Sequence, residues 1–416
     1  MPESVNGHGR PAATAASGVV LGVAGTRRDW LTRLSRWSMS ASARVEFLRC
    51  LTPTEAGAVL GAGRRVALVL IDAASADRDL IALARTHGTP SVIVRDPAHA
   101  ADWVDLGCAT QIDDDVTGDD LIELLNRLGG PPSATSDHVE RSVDLTGAPA
   151  PAPLVAVLGT GGSGCTTIGM LIAHGLGSDG RRRGRSETTV ALVDGTSSAA
   201  LALYHDLGDA VPGVPELLEL HRGDLADPSD VRDLAATVEG RKYALVLGAP
   251  RSPAPGLAGE ATADAAVAGL RRTFAMVVVD AGTVGLALSG PDRSIGLAGA
   301  AIRAADAIVA VGRPGLHGTH ALARLLVEIG DQRPTAPVLV VCNATRRGAI
   351  DRRTFRSALP RRDTAEGPPL AVIDIARMRG LEEIHRSVAD LPERAATALA
   401  RRVASALHRS APQVVA

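Results

Sequence analysis

Lysine is almost missing from this chain. Lys242 is the only one, so nearly all of the 44 basic residues are arginine. Aromatic residues are equally scarce, at 2% of 416 residues, which leaves Leu, Val, Ile and Ala to build the core. With 45% hydrophobic residues that core is sizeable, and the length suits two or three domains. The net charge of −2 excludes a protein that coats nucleic acid through overall positive charge. The four cysteines, Cys50, Cys108, Cys165 and Cys342, have neither zinc-pair nor disulfide-framework spacing. They read as reduced thiols buried in or beside strands. Apolar runs of about 18 residues, the length of a membrane span, are absent. So is a signal-peptide pattern. The expectation from these absences is a cytoplasmic protein.

What is present centres on Leu154–Leu158, an apolar run of strand length, followed by Gly159-Thr-Gly-Gly-Ser-Gly-Cys-Thr-Thr167 and a helical pattern from Ile168 to Leu176. Strand, glycine loop and helix in that order cradle phosphate. Glycines let backbone N–H groups converge on an anion, and the helix N-terminus adds partial positive charge. The alternative is a glycine-rich strand–helix turn that binds nothing. Cys165, at the start of the helix, is the one thiol expected to have a lowered pKa.

Apolar runs place the other elements. In the first part, strands are expected at Val19–Ala24, Ala43–Leu48, Arg65–Ile71, Pro90–Val94 and Ala109–Ile112. Between and after them come helices at Asp29–Trp37, Pro53–Leu60 (capped by Thr52), Ala76–Thr86 and Gly118–Leu128, with a helical fragment at Trp103–Gly107. Five strands alternating with helices predict a flavodoxin-like doubly wound sheet. Residues 130–153, rich in Gly, Pro, Ala, Ser and Thr, read as a linker, and residues 1–17 as a disordered N-terminus.

After the glycine loop, strands are expected at Thr188–Val193, Tyr243–Leu247, Phe274–Val279, Asp306–Val311, Pro337–Asn343 and Leu370–Ile373. These runs lack polar alternation, as parallel strands covered on both faces do. Helices are expected at Pro215–His221, Pro228–Val238, Thr262–Arg272, Gly318–Ile329 and, broken at Pro392, over Glu382–Leu407; Asp179–Arg185 reads as a basic surface turn. The overall expectation is α/β: a receiver-like domain over 18–129 and a doubly wound, mostly parallel P-loop domain over 154–410.

The first domain resembles a response-regulator receiver, with Asp72 at the carboxyl end of its third strand. The acidic pair such a domain carries after its first strand is replaced by Gly25-Thr-Arg-Arg28, and the lysine after its fifth strand by Asp113-Asp-Asp115. Without that acidic cluster little would hold Mg²⁺. The domain therefore reads as a pseudo-receiver, with Asp72 a polar residue at a strand end.

The glycine loop fits the pattern K-G-G-x-G-K-T-[ST] at Gly161, Gly162, Gly164, Thr166 and Thr167, and so resembles the deviant Walker A loop of the MinD/ParA ATPases. With the receiver-like domain in front, the chain most resembles the CpaE/TadZ group of pilus-assembly localisation proteins, and above all its actinobacterial septum site-determining branch. The resemblance implies ATP or ADP with Mg²⁺ at Gly161, Gly162, Ser163, Gly164, Cys165, Thr166 and Thr167. Thr166 would be the Mg²⁺ hydroxyl ligand, Asp194 the first switch I aspartate, Asp280 the Walker B aspartate and Asn343 the adenine contact. It further implies a homodimer, protein partners in division or in a Tad-type pilus or secretion apparatus, and recruitment to membrane, septum or pole.

Three charged groups of that pattern are missing. Thr160 and Cys165 stand where its two lysines belong, and Thr196 where its second switch I aspartate belongs. Phosphoryl transfer relies on positioning and charge neutralisation, so hydrolysis is expected to be absent or very weak. The alternatives are a slow dimerising ATPase, a ParA-like DNA-binding protein and a phosphorylation-dependent regulator. Residues 346–362 carry seven arginines and one acid. They read as a solvated face, or as a contact for acidic lipid or nucleic acid. Glu393–His408, with Leu399, Val403 and Leu407, is too weakly apolar to anchor in a membrane and is expected to pack on the domain.

Overall fold

The computed structural model describes residues 18–40, 45–99, 103–104, 106–128, 150–182, 190–196, 198–207, 212–223, 226–248, 258–283, 296–345, 349–360, 371–378 and 390–410. The readings of residues 1–17 and of most of 130–153 lie outside them. The chain divides into two compact units, Met1–Thr146 and Gly147–Ala416.

In the first unit, β1 (Gly18–Val23), α1 (Asp29–Ser38), β2 (Val45–Cys50), α2 (Pro53–Gly61), β3 (Val66–Asp72), α3 (Arg78–Thr86), β4 (Ser91–Val94), β5 (Thr110–Ile112) and α4 (Gly118–Leu128) follow one another. The five strands are parallel in the order β2-β1-β3-β4-β5, the flavodoxin-like doubly wound order. Thr52 caps α2 by accepting from the Glu55 N–H at 3.2 Å, and Asp77 caps α3 through Leu80 N–H at 2.9 Å. The Trp103–Gly107 fragment is not a helix. Both Leu106 and Cys108 donate to the Trp103 carbonyl, which closes a turn, and Gly107 at φ 98° ends it.

The second unit contains β6 (Leu154–Gly159), α5 (Cys165–Arg182), β7 (Val190–Asp194), α6 (Ala200–Tyr204), α7 (Val214–Gly223), α8 (Pro228–Asp233), β8 (Ala236–Thr237), β9 (Ala244–Val246), α9 (Glu260–Thr273), β10 (Met276–Gly282), α10 (Gly296–Ala304), β11 (Ala307–Gly312), α11 (Leu316–Gln332), β12 (Val338–Thr345), α12 (Ala349–Ser357), β13 (Ala371–Ala376) and α13 (Glu393–Ser410). Its eight strands run β13-β12-β11-β6-β10-β7-β9-β8, parallel except for the antiparallel β8–β9 pair. Two readings change. Residues 179–182 continue α5 instead of forming a surface turn. The Pro228–Val238 helix stops at Asp233, where the chain turns into the edge strand β8. The Glu382–Ala389 part of the last helix lies outside the described residues.

Both faces of the central strands are buried. Leu154, Ala156 and Leu158 join the core beneath α9, α10 and α11, while Val155 and Val157 join the one beneath α5 and α13. α13 packs closely on α5: a Cβ on Gly175 would overlap the Ala396 carbonyl and come within 2.9 Å of Ala400 Cβ. Ala396, Leu399 and Val403 are fully buried there, so the apolar stripe of the last helix is spent on the domain. No helix among the described residues is long and apolar enough to cross a membrane.

Candidate functional site

β6 is the point at which the sheet is built outward in both directions. After it the chain goes to β7 and β9 on one side and later to β11, β12 and β13 on the other. The crevice at the carboxyl ends of strands flanking such a reversal is where doubly wound sheets bind ligands. The glycine loop Gly159–Gly164 lies there. Gly161 and Gly162 are exposed, and Gly162 and Gly164 have φ of 68° and 90°, left-handed values that a side chain would strain. Gly164 O accepts the first bond of α5, from Ile168 N–H at 3.0 Å. The N–H groups ahead of Ile168 in the first turn have no intrahelical acceptor and face the loop, as at any helix start.

Asn343, at the end of β12, fixes the loop from beneath. Its Nδ2 donates to the Ser163 carbonyl at 2.8 Å, and its Oδ1 accepts from Ala344 N–H at 2.8 Å. It is 8% exposed. The resemblance implied an adenine contact for Asn343. Here one N–H and the oxygen of its amide hold the loop and its own backbone, so it braces the loop.

Cys165 also departs from expectation. Its side chain turns inward, into the cluster with Val155, Val157 and Val311, with Sγ 3.2 Å from the Ser163 hydroxyl. Burial pushes the thiol up to about 12, against the smaller opposing pull of Ser163. A helix N-terminus lowers a thiol pKa only where water reaches the group, and here desolvation wins. Cys165 is a small apolar filler under the loop and does not face a phosphate. All four cysteines are buried.

On the β10 side, the register pairs Asp280 with Asp194 of β7. Both are about 1% exposed. Asp194 is consumed by its own loop: Oδ1 accepts from the Thr196 N–H and hydroxyl at 3.0 and 2.6 Å, and Oδ2 from Leu201 N–H at 3.1 Å. Thr196, which replaces the second aspartate of the resemblance, thus secures the first. Burial raises the Asp194 pKa. Asp280 is different. Its Oδ1 accepts from Gly282 N–H at 3.0 Å, while Oδ2 is buried without a hydrogen-bond partner. Burial pushes Asp280 up to about 6; the nearby Thr166 hydroxyl opposes the rise and the Asp194 charge adds to it.

An unpartnered buried carboxylate oxygen beside a threonine hydroxyl and a second carboxylate is a donor set suited to Mg²⁺, a hard cation that keeps several waters. Thr166 and Asp280 would hold it; Asp194, already saturated, would sit behind. For the nucleotide, the exposed glycines and first turn of α5 fit the phosphates, while Thr160 and Cys165 bring no positive charge. Thr167 is buried at the root of the helix.

In the first unit, Asp72 ends β3 and is 3% exposed. Arg28 stands against it and bridges it to Asp96, with Trp30 Nε1 donating to Oδ2 at 3.2 Å and Ala74 N–H to Oδ1 at 3.2 Å. The arginine in place of the usual acidic pair is thus the partner of the strand-end aspartate. Of the arginine-rich segment, Arg352, Arg353 and Arg356 on α12 are exposed, and Arg356 pairs with Asp374 at 2.6 Å. The sequence reading missed Arg313, which directly follows β11. The signal was there, in Arg-Pro-Gly closing an apolar strand run.

No protein-family model matches this chain, and no curated protein matches it. Among solved structures it is similar to the septum site-determining protein MinD from Pyrococcus horikoshii complexed with Mg-ADP, at 17% identity over 63% of this chain and 99% of that one, TM-score 0.45. It is also similar to a ParA family ATPase from Chlorobium tepidum, at 16% identity, 62% and 100% coverage, TM-score 0.47. A third is a McdA variant from Cyanothece in complex with ATP, at 16% identity, 62% and 98% coverage, TM-score 0.43.

Proposed function

We propose that this chain is a regulatory or localisation protein of the MinD/ParA type that binds Mg-nucleotide at Gly161–Thr167 and scarcely turns it over. The observation that carries this reading is Asp280 Oδ2, a buried carboxylate oxygen left without a partner at the foot of a glycine loop. A fold does not leave such an atom unmatched without cost, and a Mg-nucleotide at the loop supplies the match. When bound, Mg²⁺ would neutralise charge on the β- and γ-phosphate oxygens.

Asn343 would keep the loop in its phosphate-receiving shape. Asp280, ionised at neutral pH, would hold the metal with Thr166. Thr196, in the place of the second switch I aspartate, is spent on Asp194 and would not orient an attacking water. The chain provides no loop lysine to take up charge that develops during transfer, which is the larger part of such catalysis. The site is therefore built for binding, and the bound state itself is the signal.

By its resemblance to CpaE/TadZ and septum site-determining proteins, the chain would recruit partners in division or in a Tad-type pilus or secretion apparatus, as a nucleotide-stabilised homodimer. The first unit would be a phosphorylation-independent docking module, since Arg28 and Trp30 already hold the Asp72 carboxylate. Sedimentation with and without Mg-ATP tests the dimer: a shift from monomer to dimer supports it, and an unchanged species refutes it.

A further inference from the structure

We infer that Arg313 supplies, from the same chain, the positive charge towards the phosphates that Thr160 and Cys165 lack. The inference rests on the nucleotide reading above and assigns that site its cation. β11 lies directly beside β6, and the register pairs Val311 with Gly159. Thr160 N–H donates to the Val311 carbonyl at 3.4 Å, so the two strands stay together up to the start of the loop. Arg313 lies two residues beyond that last pair, at the end of the sheet where β6 runs into the glycine loop.

The root of Arg313 is fixed. Gly315 turns the chain at φ 112° into α11, and Gly318 sits so close that a Cβ there would come within 2.6 Å of the Arg313 carbonyl oxygen. Its far end is free: Arg313 is exposed and has no hydrogen bond or ion pair among the described residues. Other arginines of this unit are committed elsewhere, as Arg271 is to Asp306 at 2.9 Å and Arg333 to the carbonyls of Ile302 and Ala305 at 2.8 Å. A rigidly rooted, unpartnered guanidinium beside an exposed glycine loop is placed to take phosphate oxygens, which its fork matches in pairs.

The distribution of charge around β6 agrees. Its neighbour on one side, β10, brings the Asp280 carboxylate with its unpartnered Oδ2; its neighbour on the other, β11, leads into Arg313. Phosphates in the loop would lie between a metal on the first side and a guanidinium on the second. Arg181 and Arg182 are no substitute. They end an 18-residue helix about 27 Å from its start at 1.5 Å per residue.

The test is calorimetric titration of the full chain with Mg-ATP and Mg-ADP, comparing the unaltered protein with Arg313→Ala and Arg313→Lys. An exposed residue without partners is replaced with little effect on folding, and thermal melting would verify this. We expect Arg313→Ala to weaken Mg-ATP binding at least tenfold and Arg313→Lys to retain part of the affinity, since the charge survives but the fork does not. If the unaltered protein binds and Arg313→Ala binds within threefold of it, the assignment of Arg313 falls while the nucleotide site stands. If the unaltered protein binds neither nucleotide at millimolar concentration, the nucleotide reading falls and this inference with it.

Discussion

Arg28 Nε lies 2.9 Å from Asp72 Oδ2, and its Nη2 donates to Asp72 Oδ1 at 3.0 Å and to Asp96 Oδ2 at 2.7 Å. One guanidinium thus joins the two carboxylates that end β3 and follow β4. Burial works against its charge, but the hydrogen bond to Asp96 and the fields of Asp72 and Asp96 outweigh it and hold its pKa above the ordinary value. The cation is permanent, and it holds both carboxylates.

The first prediction concerns that lock. Incubation with a small acyl phosphate donor and Mg²⁺ will leave Asp72 unmodified, as read by intact mass and by acid-stable against hydroxylamine-labile phosphate. Arg28→Ala will destabilise the first unit by about 2 kcal/mol in urea unfolding, below the roughly 3–5 kcal/mol of a fully buried pair because the arginine side chain is 31% exposed. A labelled Asp72 in the unaltered protein would show that the lock opens.

Asp280 gives a pH dependence with a defined sign. Its folded pKa of about 6 lies above the ordinary aspartate value of about 3.9, so the folded state holds the proton longer than the unfolded state. The carboxylate therefore costs nothing below about pH 4, and stability is lost as pH rises through about 6. The plateau cost is about 1–3 kcal/mol at roughly 1.4 kcal/mol per pH unit. Asp280→Asn should melt with the unaltered protein near pH 4 and above it at pH 7–8. Mg²⁺ with nucleotide should stabilise only the unaltered protein at pH 7. Equal melting of both proteins across the range would remove Asp280 as a strained group.

Asn343→Ala deletes the bond to the Ser163 carbonyl and leaves that acceptor without its partner. Expected are a loss of about 1–2 kcal/mol in unfolding free energy and weaker Mg-nucleotide binding through a loosened loop. Unchanged nucleotide affinity would mean the loop needs no brace.

Gly175→Val tests the seat of α13. The new side chain meets the Ala396 backbone, so α13 must shift, at a cost of about 1–3 kcal/mol for overpacking. The unaltered protein should not bind neutral or anionic vesicles through α13, because Leu399 and Val403 are already buried. Vesicle binding lost on deleting α13 would contradict this.

Most strands were legible because they are apolar runs with no competing pattern, and the mostly parallel, doubly wound arrangement followed from their alternation with helices; the two-residue edge strand β8 was read as the end of a helix. α10 was missed for the opposite reason: Leu297 through Ile302 are all buried, so the segment has no polar face and no helical period to read. α12 was read only as an arginine-rich face, since its buried Phe355 is one residue among charges. The glycine loop was read by spacing, and Asp194 and Asp280 were singled out through the resemblance. What spacing does not give is the direction of a side chain. Cys165 turns under the loop because the apolar floor of β6 and β11 accepts it, and Asn343 faces Ser163 across 180 residues. The Arg28–Asp72 pair, 44 residues apart, was visible only as two separate oddities.

The most direct measurement is titration of the full chain with Mg-ATP by calorimetry, followed by a phosphate-release assay on the same sample. The account predicts saturable, Mg²⁺-dependent binding with turnover well below the roughly 1 per second at the low end of ordinary enzymes. Absence of binding, or binding followed by rapid hydrolysis, would contradict it.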